Sequence, residues 1–146
     1  MLLAFDFGTT RIGVAVGQPV TATASPLAWI KAKDGTPDWA ALERLVAEWQ
    51  PHALVVGLPL NMDGSLCDMS HRARKFANRL HARFGLPSYL VDERLTSHEA
   101  KGIHLGRGGG SNFKQESVDG LAAQLILESW FRETVHRPAQ DKLEDR

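Results

Sequence analysis

The chain has a single cysteine, Cys67, among its 146 residues. One thiol cannot close an internal disulfide or build a multi-cysteine metal site. There is one tyrosine, and there is no excess of either charge: 17 basic and 17 acidic side chains cancel. A neutral chain is not a general coat for nucleic acid. No apolar run approaches the ~20 residues of a membrane span. The start, Met1 to Asp6, lacks a basic n-region and a small-residue cleavage site, so no signal peptide is expected. No repeat divides the chain. A cytoplasmic protein that does not engage membrane is the expectation.

What remains is ordinary for a globular protein, with 43% hydrophobic and 23% charged residues. One domain over residues 1–137 is expected, with a charged, frayed tail over 138–146. The charges are unevenly spread. Met69 to Val91 holds five basic side chains, Arg72, Arg74, Lys75, Arg79 and Arg83, and no acid. Lys101 to Gln115 holds three more basic residues and again no acid. This permits a basic face, although a solvated helix with counter-charges on its neighbours has the same pattern.

Leu2 to Gly17 reads as two apolar strands joined by a polar turn, with one carboxylate, Asp6, at the end of the first. An acid in an apolar strand is costly unless it is exposed or compensated. Thr21 to Lys31 reads as a third strand, at a sheet edge because Pro26 interrupts it, and Lys33-Asp34-Gly35 reads as a turn. Thr36-Pro37-Asp38 suits the start of a helix, with Thr36 as cap. Trp39, Leu42, Leu45, Val46 and Trp49 then make one apolar face. Ala53 to Gly57 is a strand covered on both sides. A loop over 58–70 leads to a helix with the stripe Ala73, Phe76, Ala77, Leu80 and Phe84, closed by Gly85 in the left-handed conformation. Ser88 to Asp92 is the fifth strand. Thr96 starts a short helix, Gly106 to Gln115 is a glycine-rich basic loop, and Ser117 caps a last helix reaching about Val135. The fold class is therefore α/β: a five-stranded mixed sheet, three antiparallel strands then parallel ones, with helices on both faces.

Asp6, the Asp92-Glu93 pair and Asp119 each sit where an element starts or stops. Ligands of open α/β sheets bind at the carboxyl ends of strands. Carboxylates drawn together there repel, and a cation relieves that repulsion. Mg²⁺ and Mn²⁺ favour such oxygen donors. A pair of ions about 3.5–4 Å apart can stabilise both oxygens of an in-line phosphoryl displacement. Adjacent strand residues point to opposite faces, so either Asp92 or Glu93 joins Asp6. Each acid also has a structural reading: a turn acceptor for Asp6, a dipole partner for Asp119, an ion pair with Arg94 for Asp92.

Four blocks occur in order: Asp6-Phe7-Gly8-Thr9-Thr10-Arg11-Ile12-Gly13-Val14-Ala15, Val56-Gly57-Leu58-Pro59, Val91-Asp92-Glu93-Arg94-Leu95-Thr96-Ser97 and Val118-Asp119-Gly120-Leu121-Ala122-Ala123. Over Leu2 to Trp130 the chain resembles the YqgF, or RuvX, family, described as pre-16S ribosomal RNA nucleases or Holliday-junction resolvases. The resemblance implies an RNase H-like fold and assigns Asp6, Glu93 and Asp119 as catalytic metal ligands, so that Glu93 is chosen over Asp92. It implies Mg²⁺ or Mn²⁺, two ions by analogy, and a hydrolysis that leaves a 5′-phosphate and a 3′-hydroxyl. It also implies a bacterial cytoplasmic protein acting on the 5′ side of the small-subunit rRNA precursor, with branched DNA as the alternative substrate, as monomer or homodimer. Candidate nucleic-acid contacts are Thr10, Arg11, Asn61, Arg72, Lys75, Arg107 and Lys114. One departure is Gly108-Gly109-Gly110, where such proteins carry lysine and arginine; fewer phosphate contacts there imply a shallower salt dependence. Two readings of other classes stay open. Asp-Phe-Gly-Thr-Thr also resembles the phosphate loop of sugar kinases, actin and Hsp70. A non-catalytic RNA- or ribosome-binding module would use the basic helix of residues 71–83.

Overall fold

The structure is a computed structural model that describes residues 1–92 and 112–132, with side chains from residue 120 onward in the second stretch. The six strands are β1 (Leu2–Asp6), β2 (Arg11–Gln18), β3 (Thr23–Lys33), β4 (Thr36–Pro37), β5 (Ala53–Leu58) and β6 (Ser88–Asp92). The helices among the described residues are α1 (Trp39–Trp49), α2 (Asp68–Phe84) and α3 (Asn112–Arg132). The strands form one sheet in the order β4-β3-β2-β1-β5-β6. β1 runs antiparallel to β2 and parallel to β5, and β5 runs parallel to β6. This is the expected mixed sheet with one strand more than predicted.

The extra strand is β4. Thr36 and Pro37 pair with Lys33 and Ala32 instead of opening a helix. Asp38 takes the cap in place of Thr36: its Oδ1 accepts from the Ala41 amide at 3.2 Å. The turn between β3 and β4 holds Asp34 at φ 50° and Gly35 at φ 84°, the left-handed pair that a tight hairpin requires. The sheet edge therefore belongs to β4, which covers only two residues of β3 and leaves Pro26 beyond its reach.

Alternation along β1 sorts the core into two layers. Leu3 and Phe5, with Phe7 just after the strand, pack with Leu42 of α1 and with Ala73, Phe76, Ala77 and Leu80 of α2. Leu2 and Ala4 pack with Val55, Val91 and with Ile126 and Leu127 of α3. The apolar stripes read from the sequence thus face the sheet. Gly85 closes α2 at φ 67°, with its amide on the His81 carbonyl at 2.8 Å. α2 starts earlier than expected, at Asp68, because Cys67 and Ser70 form a capping box. α3 also starts earlier, at Asn112 instead of Ser117, and absorbs the end of the predicted glycine-rich loop. The predicted helix from Thr96, Arg107, the three glycines and the tail lie outside the described residues.

Candidate active site

β1, β5 and β6 are parallel, so their carboxyl ends share one edge of the sheet. Phe5 is in register with Val56, and Val56 with Leu90. The next row is therefore Asp6, Gly57 and Val91, with Gly13 opposite Asp6 on β2. By alternation Asp6 stands on the face of Leu2 and Ala4, the face that α3 covers. It is half-buried. Both strands beside it present a glycine, so no side chain of this row crowds the carboxylate from either side. Val91 lies two strand spacings away, roughly 10 Å, on the same face. Asp92, exposed at the end of β6, has the opposite parity and falls on the α1–α2 face.

The turn after Asp6 is held firmly. A Cβ on Gly8 would collide with the Arg11 carbonyl oxygen. The Thr9 carbonyl accepts from the Gly35 amide at 2.9 Å, and the Thr10 carbonyl from the Ala32 amide at 2.9 Å. Thr9 thus serves the turn, and Thr10 is exposed beside it. Arg11 is half-buried, its guanidinium 5.4 Å from the centre of the Trp29 ring.

α3 approaches from the other side. A Cβ on Gly120 would sit 2.8 Å from Pro26 Cβ, and one on Gly17 2.7 Å from Leu127. Pro26 pairs with Ala15, which pairs with Ala4, whereas Gly17 pairs with Leu2. α3 therefore runs antiparallel to β1, and its earlier residues lie toward the Asp6 end. Asp119 is in this helix, immediately before buried Gly120 and one and two turns before buried Ala123 and Ile126. Its side chain, that of Lys114, and all of Glu93 and Arg107 lie outside the described residues. Among the described residues no three of His, Cys, Asp or Glu come together as a metal site. Asp6 supplies a hard oxygen donor, the type Mg²⁺ or Mn²⁺ requires.

The candidate nucleic-acid residues divide. Asn61 is exposed, but its Nδ2 donates to Ser65 Oγ at 2.9 Å, within a loop closed by a Leu60–Leu66 bridge. Arg72 and Lys75 are on α2, at the same end of the sheet as Asp6 but on the opposite face; both border a cleft whose floor is Phe7. Arg79 borders it too. Arg83 does not join them, because Glu43 binds it at 3.0 Å and its guanidinium lies 4.5 Å from the Trp39 ring centre. The run of basic residues is thus a cleft and a separate ion pair, not one face. Gly13 and Gly57, which flank the carboxylate, are missed by residue-type reasoning. Their signal is only that both fall inside the recurring blocks.

A family model described as "RuvX: Holliday junction resolvase" matches residues 1–133. A protein of Azotobacter vinelandii named "Putative pre-16S rRNA nuclease" is 55% identical over 139 residues, covering 95% of this chain and 96% of its own. One of the same name from Pasteurella multocida is 58% identical over 130 residues, covering 89% and 93%. Among solved structures, Thermus thermophilus RuvC in complex with a Holliday junction substrate superposes with a TM-score of 0.53 at 16% identity, covering 94% of this chain and 98% of that one. A second Thermus thermophilus RuvC structure gives 0.51 at 17%. The likeness to RuvC is one of fold, the RNase H-like arrangement expected from the blocks.

Proposed function

The chain belongs to the RuvX family and is a nuclease, and we propose that it hydrolyses phosphodiester bonds on the 5′ side of pre-16S ribosomal RNA. Asp6, Glu93 and Asp119 are the proposed catalytic set and hold Mg²⁺ or Mn²⁺. The observation that carries this reading is Asp6 at the carboxyl end of a central strand, flanked by Gly13 and Gly57, with α3 directed so that Asp119 comes toward that end. Register parity counts against Asp92: Val91 shares the Asp6 face and Asp92 does not.

The bound cations would supply charge neutralisation and an activated water for in-line displacement. The chain's own part is to hold three acids within reach of one phosphate and to leave that phosphate room. Two glycines do the second. The Thr9 and Thr10 carbonyl bonds to β3 and its turn do the first for Asp6, by fixing the chain that leaves it. Thr10, Arg11, Asn61, Arg72, Lys75, Arg107 and Lys114 are the proposed phosphate and sugar contacts. Action in the bacterial cytoplasm on the small-subunit precursor, as monomer or homodimer, is part of the same proposal. No helix among the described residues is long and apolar enough to cross a membrane.

The family description supports a second reading, resolution of four-way DNA junctions. A cleavage assay with Mg²⁺ separates the two. Its substrates are precursor rRNA carrying the 5′ extension, a generic single-stranded RNA and a four-way DNA junction. Cutting of the precursor, lost with chelator and reduced by about 10²-fold or more in Asp6→Asn, is the expected result. Symmetric junction cutting alone transfers the assignment to the resolvase reading. Undiminished cutting by Asp6→Asn removes Asp6 from the catalytic set.

A further inference from the structure

α2 carries Arg72, Lys75 and Arg79 at i, i+3 and i+7, on one stripe beside buried Phe76. Facing this stripe is the tight turn of Asp34 and Gly35. Between them is a cleft of about 270 Å³ that opens to solvent. Its floor is Phe7 and Phe76, with ring centroids 5.2 Å apart. Both rings are almost wholly buried, so they offer no face on which a base could stack. The volume is below the about 300–1,000 Å³ of sites for drug-sized ligands. The cleft suits a small charged group.

The charge is one-sided. Three cations border the cleft against one carboxylate, Asp34. Arg72 lies 3.9 Å from Asp34 and 3.6 Å from Asp68, and both acids are about nine-tenths exposed. Such long, solvated pairs are worth little and do not neutralise the guanidinium. Lys75 and Arg79 are exposed and form no ion pair among the described residues. Gly35 allows the close approach: a Cβ there would lie 3.3 Å from Arg72 Nη1.

The cleft is tied to the active site by one peptide bond. Phe7 follows Asp6, about 3.8 Å away between Cα atoms, and the two side chains go to opposite faces of the sheet. We propose that Arg72, Lys75, Arg79 and the Asp34–Gly35 turn form a phosphate cleft that holds the backbone of the substrate strand after it has passed over the end of the sheet from the Asp6 side. That the occupant is a nucleic-acid strand rests on the nuclease reading; that it is anionic rests on the cleft alone. Recognition here is of charge and spacing, hence independent of base sequence.

The test measures binding in chelator, where no strand is cut. Fluorescent single-stranded RNAs of about 4 and about 16 nucleotides are titrated at several salt concentrations. The proteins are wild type, the Lys75→Gln/Arg79→Gln double variant and Arg44→Gln, which changes an exposed cation of α1. For the longer RNA the double variant weakens binding and flattens the slope of log K against log salt by about 1.4, two contacts at about 0.7 each. The shorter RNA and the Arg44 variant show no such change. An unaltered slope in the double variant overturns the cleft. If wild type then cuts RNA with Mg²⁺, the nuclease reading survives that loss. A slope change without any cutting keeps the cleft and sinks the nuclease reading. Capture of poly-glutamate through Lys75 and Arg79, with no hold on RNA, overturns the strand as occupant.

Discussion

Ser70 is fully buried, and its hydroxyl serves two backbone groups. It accepts from the Cys67 amide at 2.9 Å and donates to the Pro59 carbonyl. Ser70→Ala strands both partners and should cost about 1–3 kcal/mol in denaturant unfolding. The same hydroxyl lies 3.3 Å from Cys67 Sγ; turned from Pro59 to the sulfur, its single proton stabilises the thiolate, the chief cause that holds the thiol below its ordinary pKa. A depressed folded pKa means that the thiolate's stabilising share is present at high pH and is lost as pH falls through the folded value. Alkylation of Cys67 with pH should therefore reach its midpoint below that of a free thiol, and Ser70→Ala should move it upward. A second single-residue effect belongs to Gly57. Cross-strand Cβ atoms are about 4.5–5.5 Å apart, so Gly57→Val places a branched side chain beside Asp6. Cleavage should fall by about 10²-fold, while RNA retention in chelator persists.

At the scale of elements, α1 and α3 answer to different controls. α1 depends on Asp38, so Asp38→Ala should cost about 1 kcal/mol. Thr36→Ala, at the position the local pattern favours as cap, should stay within about 0.5 kcal/mol. Comparing the two denaturation midpoints checks which residue caps the helix. α3 depends on a bare backbone at Gly120. Alanine there gains about 0.8–1 kcal/mol of helix propensity, against about 1–3 kcal/mol for forcing a methyl against Pro26. Stability should change little or fall slightly. Displacing the helix beside Asp119 should nonetheless reduce cleavage by about 10²-fold. A large loss of activity at near-constant melting temperature is the signature to measure.

For the whole molecule, one sheet joins two cores, and β1 has residues in both. Phe5 is wholly buried and meets Phe76 edge-on at 5.7 Å. Phe5→Ala should cost about 3–5 kcal/mol. Because β1 serves both layers, the loss should not stay on one side. Near-ultraviolet signals from Trp39 and Trp49 on the α1 side, and from Trp130 on the α3 side, should shift together in thermal unfolding. Separate midpoints, followed in single-tryptophan variants, would show that the two layers unfold independently.

The apolar stripes of α1 and α2, the strand–turn–strand start and the stop at Gly85 were all legible in the sequence, because each depends on spacing within one or two turns of chain. The block around Asp6 and its order relative to the other three blocks were equally local, and they pointed to the family. Pairing between strands was not legible, even across the tight turn at Asp34 and Gly35. Thr36 and Pro37 have the side chains of a helix start, yet their partners Ala32 and Lys33 make them a strand. Pleat alternation could say that Asp92 and Glu93 face opposite ways, but only the register of β1, β5 and β6 puts Asp92 on the face away from Asp6. The same register brings Gly13 and Gly57 to either side of the carboxylate. The basic run on α2 became a cleft only where the β3–β4 turn meets it, and lost Arg83 to Glu43. Side-chain period and turn chemistry are properties of neighbouring residues. Strand register and helix-to-turn contacts join residues tens of positions apart, and those the folded sheet alone decides.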